Sequence, residues 1–186
     1  MRTAGVLLAG GHSARFGPDN KLLALLNGRP LIAHAADALR RSRCHPLIAV
    51  AWDKSVLEHL QGFKIARAAN PETAGQADSL RAGIALANRL GAERALVVLG
   101  DMPFVQPGLL DTIARACTDS RASTAQADQR RMPPACFPRA LFPALCALAG
   151  DQGARALLRD LPPEACVPAT CRELSDIDTP DDLARG

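Results

Sequence analysis

The sequence has no tyrosine, one tryptophan and five phenylalanines. A platform of rings for stacking single-stranded nucleic acid is therefore poorly supplied. A dominant charge is missing too: 22 Lys and Arg against 19 Asp and Glu leave a net +3, too little to argue for nucleic acid or a membrane surface as partner. No apolar run reaches the ~18 residues of a membrane span. The first residues enter a strand-like run without a basic stretch and cleavage site, so no secretory leader is expected. The six cysteines, at 44, 117, 136, 146, 166 and 171, form neither a Cys-x-x-Cys pair nor a Cys/His cluster of zinc spacing. Scattered reduced thiols in a cytoplasmic protein are the expectation. Repeats, low-complexity segments and linkers are also lacking. What remains is 186 residues with 48% hydrophobic content, suited to one domain over 1–186 with an ample core.

The stretch from Ala4 to Leu25 carries the most information. Val6 to Ala9 is a short apolar run, enough for one buried strand. Gly10 and Gly11 break it with a turn whose backbone can approach a ligand and aim several N–H groups at one anion. Arg15 and Lys21 add positive charge beside that turn. The glycine spacing matches neither the P-loop nor the Gly-x-Gly-x-x-Gly dinucleotide fingerprint. From spacing alone, a triphosphate cradle and a tight turn with solvated Arg and Lys fit equally well.

Further along, Leu22 to Leu26 reads as extended and Asn27-Gly28 as a turn. Pro30 opens a helix with Leu31, Ile32, Ala35, Ala38 and Leu39 on one stripe and Arg40 and Arg41 at its negative end. His34 beside the stripe is read as structural. A second strand spans Leu47 to Trp52, and Asp53 caps a helix running to Gln61, ended by Gly62. Phe63 to Ala66 is a third strand, Asn70 to Gln76 a polar loop, and Ala77 to Leu90 a helix closed by Gly91. Arg94 to Gly100, with its Ala-Leu-Val-Val-Leu core, is the strongest buried-strand signal in the sequence. Pro107 opens a helix ending near Cys117. Ala122 to Ala127 and Pro134 to Phe137 are weaker extended segments around a basic turn at Gln129–Arg131. Helices are expected at 139–148 and 152–159, an extended segment at 165–174, and a helix start at Thr179-Pro180-Asp181-Asp182. This alternation predicts a three-layer, Rossmann-like α/β fold with a mainly parallel central sheet, whose ligands bind beyond the carboxyl ends of the strands. Asp101, directly after the strongest strand, would lie on that edge. A Mg²⁺ ligand and a carboxylate capping the next turn are equally consistent with its position.

Leu8-Ala9-Gly10-Gly11-His12-Ser13-Ala14-Arg15-Phe16-Gly17, followed by Lys21-Leu22, resembles the signature loop of the MobA-like nucleotidyltransferases, the molybdenum cofactor guanylyl- and cytidylyltransferases and their relatives. Phe16 stands where that family usually has Met, and Pro18-Asp19-Asn20 is inserted before Lys21. Gly100-Asp101-Met102-Pro103 resembles the family's Asp-Met-Pro motif, and Asp176-Ile177-Asp178-Thr179-Pro180-Asp181-Asp182-Leu183 its closing Asp-Ile-Asp-Thr-Pro-Glu-Asp-Leu. Gly75 to Gly83 and Gly150 to Arg155 resemble blocks of the cytidylyl branch, whereas Leu-Ala-Gly-Gly is the guanylyl form of the first loop. Arg131-Met132-Pro133 departs from the cytidylyl Gly-His-Pro.

The resemblance implies a nucleotide site of Leu8, Ala9, Gly10, Gly11, Arg15, Lys21, Asn70, Gly75 and Ser79, with Arg15 and Lys21 on the phosphates. It implies Mg²⁺ held by Asp101 and Asp178, and Arg15, Lys21 and Asp101 as the catalytic set. The implied reaction transfers CMP from CTP, the favoured triphosphate, to the phosphate of molybdopterin or molybdenum cofactor, releasing pyrophosphate. GTP is the alternative substrate, a sugar-phosphate or isoprenoid-precursor nucleotidyltransferase another, and a non-catalytic cofactor-binding chaperone the non-enzyme rival. A client molybdenum oxidoreductase, or its chaperone, is the implied protein partner. The acceptor phosphate is largely dianionic at neutral pH, so no general base is needed and His12 is given no chemical role.

Overall fold

In the computed structural model, residues 1–10, 16, 20–69, 75–148 and 154–185 are described. Seven strands form the main sheet: β1 (Thr3–Leu8), β4 (Leu47–Val50), β5 (Lys64–Ala66), β6 (Arg94–Leu99), β7 (Ser123–Ala127), β8 (Arg130–Pro138) and β9 (Cys166–Pro168). Their order is β5-β4-β1-β6-β8-β7-β9. The pairs β5/β4, β4/β1, β1/β6 and β7/β9 are parallel, and β6/β8 and β8/β7 antiparallel. Two short strands, β2 (Leu25–Leu26) and β3 (Arg29–Pro30), pair separately as a hairpin. The helices are α1 (Leu31–Arg41), α2 (Lys54–Leu57), α3 (Gln76–Arg89), α4 (Pro107–Ala116), α5 (Phe142–Cys146), α6 (Arg155–Leu158) and α7 (Pro180–Arg185). Among the described residues no helix is long and apolar enough to cross a membrane.

Alternation along the central strands divides the core in two. Leu7, Ala49, Leu96 and Val98 face α1 and α4, meeting Ile32, Leu39, Leu110 and Ile113. Val6, Ile48, Val50, Ala95 and Val97 face the other way, meeting Leu80 and Ile84 of α3 and Phe142 and Leu145 of α5. Strands covered on both faces read as continuous apolar runs, which is why β1 and β6 were clear in the sequence. The predicted three layers and mainly parallel sheet are present.

Several elements differ from the sequence reading. The segment after Asn20 begins as a 3₁₀ turn, Lys21–Leu23, before β2. Asp53 caps α2 as expected, accepting from Ser55 N–H at 2.8 Å and Val56 N–H at 3.4 Å. That helix stops at Leu57 because the next bonds tighten, His59 N–H reaching Val56 and Leu60 N–H reaching Leu57. The extended segments around Arg130 form one hairpin: the turn is Asp128-Gln129, both at positive φ, and Arg130 and Arg131 already belong to β8. The register skips at Pro133-Pro134, between the pairs Thr124↔Ala135 and Ala125↔Met132. Prolines have no N–H to donate to the ladder, so a bulge there strands no donor. Only Cys166–Pro168 of the 165–174 segment is strand. Thr170 N–H donates to Glu173 and Glu173 N–H returns to Thr170 Oγ1, at 3.0 and 3.1 Å, a capping-box turn. The helices expected at 139–148 and 152–159 shorten to a 3₁₀ turn with α5, and to α6.

Candidate active site

β1 and β6 run parallel side by side, yet the chain leaves β1 toward β4 on one side and returns through β6 on the other. Loops at such a reversal separate and leave a crevice at the carboxyl ends. Ala9 N–H donates to Val50 at 2.9 Å, and Gly100 N–H to Leu8 at 2.9 Å, so both strand ends stay registered up to the crevice. Gly10 lies against α3: a Cβ there would stand 3.2 Å from Ser79 Oγ.

Lys21 reaches the crevice from its 3₁₀ turn. Asn20 caps that turn, accepting from Leu22 N–H at 3.0 Å and donating to Asp53 at 2.8 Å. Buried Leu22 fixes the turn from below. Asp101 arrives directly after β6. Asp178 comes from the far end of the chain: Ile177 is buried beside Leu26 and Leu31, and its N–H donates to the Asp101 carbonyl at 3.0 Å. Asp182 then accepts from Thr179 N–H at 2.9 Å and starts α7.

These placements converge on one ammonium. Lys21 Nζ lies 2.7 Å from Asp101 Oδ2 and 2.7 Å from Asp178 Oδ1. The Lys21 and Asp101 side chains are only 15% and 18% exposed. Burial works to lower the Lys21 pKa, but the charges and hydrogen bonds of Asp101 and Asp178 outweigh it and hold it above its ordinary value. Nearby, burial and then the Asp101 and Asp178 charges push the Asp176 carboxyl up, against a smaller pull from Lys21.

A cavity of about 180 Å³ is lined by Leu8, Ala9, Gly10, Lys21, Ser79 and Asp101, together with Gln76. A smaller one, about 70 Å³, shares Leu8, Gln76 and Leu99 and is walled by Val97, Met132 and Phe137, with Arg155 and Asp176 at its polar side. A larger cavity, about 800 Å³, lies between β5 and α3. Its carboxylate among the described residues, Asp78, is engaged by Arg81 at 3.0 Å. The meeting of strand ends, ammonium and paired carboxylates, rather than size, locates the candidate site in the first crevice.

Of the residues singled out from the sequence, Leu8, Ala9, Gly10, Lys21, Ser79 and Asp101 share that cavity, and Asp178 joins them through Lys21. Gly75 instead caps α3, its N–H donating to Asp78 at 3.1 Å. Gly11, His12, Arg15, Asn70 and Gly150–Gly153 lie outside the described residues. His34 is structural, as expected, with Nε2 3.1 Å from the Leu26 carbonyl. Sequence reasoning gave no role to Gln76, although it sits in a quoted block, or to Asn20, whose side chain before Lys21-Leu22 was a legible cap signal.

The carboxylates suit a hard divalent cation. Asp101 Oδ1 is buried and has no hydrogen-bond partner among the described residues, and the pair already converges on a positive charge. The described residues contain no group of three or more His, Cys, Asp or Glu side chains able to cage an ion.

The MobA-like NTP transferase domain family matches residues 5–166. A probable molybdenum cofactor guanylyltransferase of Pyrococcus horikoshii is 35% identical over 126 residues, 65% of this chain and 59% of that protein. The purine catabolism protein PucB of Bacillus subtilis is 30% identical over 96% of this chain and 92% of its own length. The chain spans between 26% and 61% of the length of several of the curated relatives it matches. Among solved structures, Rv0371c of Mycobacterium tuberculosis H37Rv superposes with a TM-score of 0.82 at 26% identity, covering 100% of this chain and 97% of its own.

Proposed function

Because the chain belongs to the MobA-like NTP transferase family, we propose that it transfers a nucleoside monophosphate from a triphosphate to the phosphate of molybdopterin or molybdenum cofactor, releasing pyrophosphate. The observation that carries this reading is the junction of the carboxyl end of β1, Lys21 and two carboxylates at the mouth of adjacent parallel strands. The Gly10 backbone lines the crevice beside Ser79, where an added Cβ would be tight at 3.2 Å, and would approach the triphosphate closely. Arg15 and Lys21 neutralise charge as it builds toward pyrophosphate. Asp101 and Asp178 would hold Mg²⁺, which when bound supplies further neutralisation of the phosphate oxygens. The acceptor phosphate, with a second pKa near 6, is its own nucleophile at neutral pH. Positioning and charge neutralisation therefore suffice, and this chain needs no proton-abstracting side chain.

Cytidine is the favoured base. Gln76 and Ser79, in the block resembling the cytidylyl branch, line the crevice, and Arg155 of the second block lines the adjoining cavity. Guanosine is the second reading, favoured by the Leu-Ala-Gly-Gly loop and by relatives named as guanylyltransferases. A site built for one hydrogen-bonding edge leaves groups unpaired with the other. The test is pyrophosphate release with molybdopterin at fixed Mg²⁺, comparing kcat/KM for CTP and GTP. A larger GTP value reverses the base and leaves the phosphate chemistry standing. No release with either triphosphate favours the chaperone reading.

A further inference from the structure

We propose that Lys21 acts as a removable counter-ion, filling the cation's place between Asp101 and Asp178 until a triphosphate draws it away, so that metal and nucleotide enter the site as a coupled pair. This rests on the transfer reading above for the identity of the anion.

The geometry is that of a mutually exclusive choice. Lys21 Nζ stands 2.7 Å from one oxygen of each carboxylate. A divalent cation held by these same oxygens would compete with the ammonium for them, cation against cation. The ammonium must leave before those two oxygens can serve a metal. Leaving without a new partner would strand a charge whose side chain is mostly shielded from water, which is costly. A phosphate oxygen in the adjoining crevice supplies that partner, because Lys21 lines the same cavity as Gly10 and Ser79. Lysine suits the exchange: its ammonium is a compact charge on a flexible stem, with donors that can turn to a new acceptor. The turn below it does not need to move, since Asn20 and Leu22 hold the backbone.

Coupling of this kind is reciprocal: what the triphosphate does for the metal, the metal does for the triphosphate. Its signature is a side chain whose removal improves metal binding to the nucleotide-free protein. A residue that only stabilises the fold would do the reverse.

The experiment titrates Mn²⁺ into nucleotide-free protein, reading free Mn²⁺ by electron paramagnetic resonance. Lys21→Met keeps the stem and removes the charge. It should bind Mn²⁺ at least about fivefold tighter than the parent, within the usual 5–150-fold span of such couplings, and the gain should vanish in Lys21→Met/Asp101→Asn. Equal or weaker binding by folded Lys21→Met overturns the proposal. A second measurement needs no variant. In the parent protein, the ¹⁵N signal of the Lys21 ammonium should stay in place with Mg²⁺ alone and move when Mg²⁺ and triphosphate are both present. Movement with Mg²⁺ alone overturns it as well. Pyrophosphate release reports the transfer reading separately: its absence sinks that reading while the Mn²⁺ titration still decides the role of Lys21.

Discussion

Replacing Asp101 with Asn separates catalysis from stability. The two side chains have nearly the same shape, so the change removes a charge and turns one acceptor oxygen into an N–H₂ donor. In the folded protein that charge faces Lys21 Nζ at 2.7 Å between side chains 15% and 18% exposed. A hydrogen bond involving charged groups contributes about 1.5–3 kcal/mol. Two features offset its loss. Asp178 still holds the ammonium at 2.7 Å, and the buried Oδ1, without a hydrogen-bond partner among the described residues, no longer belongs to a charged group. The net change in unfolding free energy should therefore stay within about 2 kcal/mol. The transfer step has no such compensation. Losing one pre-organised electrostatic contributor commonly costs about 10²–10³ in rate, or roughly 2.7–4 kcal/mol on the barrier. The assay pairs pyrophosphate release at saturating triphosphate and Mg²⁺ with urea unfolding of the same preparation. Release within about threefold of the parent would falsify the role given to Asp101. A variant that loses activity only in proportion to lost folded protein would make the residue structural.

Three further outcomes are expected. In Gly100→Ala the new Cβ would stand 2.8 Å from Ile32 Cδ1, on a fully buried side chain, and 3.1 Å from the Leu8 carbonyl; a loss of about 1–3 kcal/mol should appear in the urea midpoint, and an unchanged midpoint would refute the packing. The hydrogen bond from Asn20, helped by the Ser55 and Val56 N–H groups and opposed by burial, holds Asp53 below its ordinary pKa; its stabilisation is present above the usual carboxylate range and is lost as pH falls through the lowered value. Asn20→Ala should lower stability by about 0.5–2 kcal/mol and flatten that acid-side decline, which unfolding curves between about pH 6 and pH 2 would detect. Arg15→Ala and Lys21→Ala, measured in EDTA, should weaken triphosphate binding more than monophosphate binding; equal weakening would mean that neither side chain reads the outer phosphates.

The parts of the fold legible in the sequence are those where one local signal dominates. β1 and β6 are apolar on both faces, α4 opens on Pro107, and Gly91 at φ +74° closes the turn after α3. Where two signals compete, the reading blurred. The prolines of β8 hid a nine-residue strand, and Thr170 and Glu173 form a capping box that apolar patterning overlooked. The site divides in the same way. Asp101 and Lys21 were visible as residue types beside a glycine turn. Their mutual ion pair was not, because it joins loops that follow different strands. Asp178 depends on Ile177 docking onto the Asp101 carbonyl, a long-range contact that no spacing encodes. Asn20 shows the limit within a single turn: its side chain was readable as a cap, whereas its bond to Asp53 required the tertiary structure.

The central position of β1 also shapes how the molecule forms. Its partners are residues 47–50 on one side and 94–99 on the other. A ribosome therefore releases the apolar Val6-Leu7 run long before the second of these neighbours exists. Pairings so distant in sequence are slow to close, since loop entropy is lost before contacts compensate for it. Until β6 emerges, β1 has an open edge, which is prone to self-association. The strand that shapes the crevice thus depends on shielding of its edge in the nascent chain.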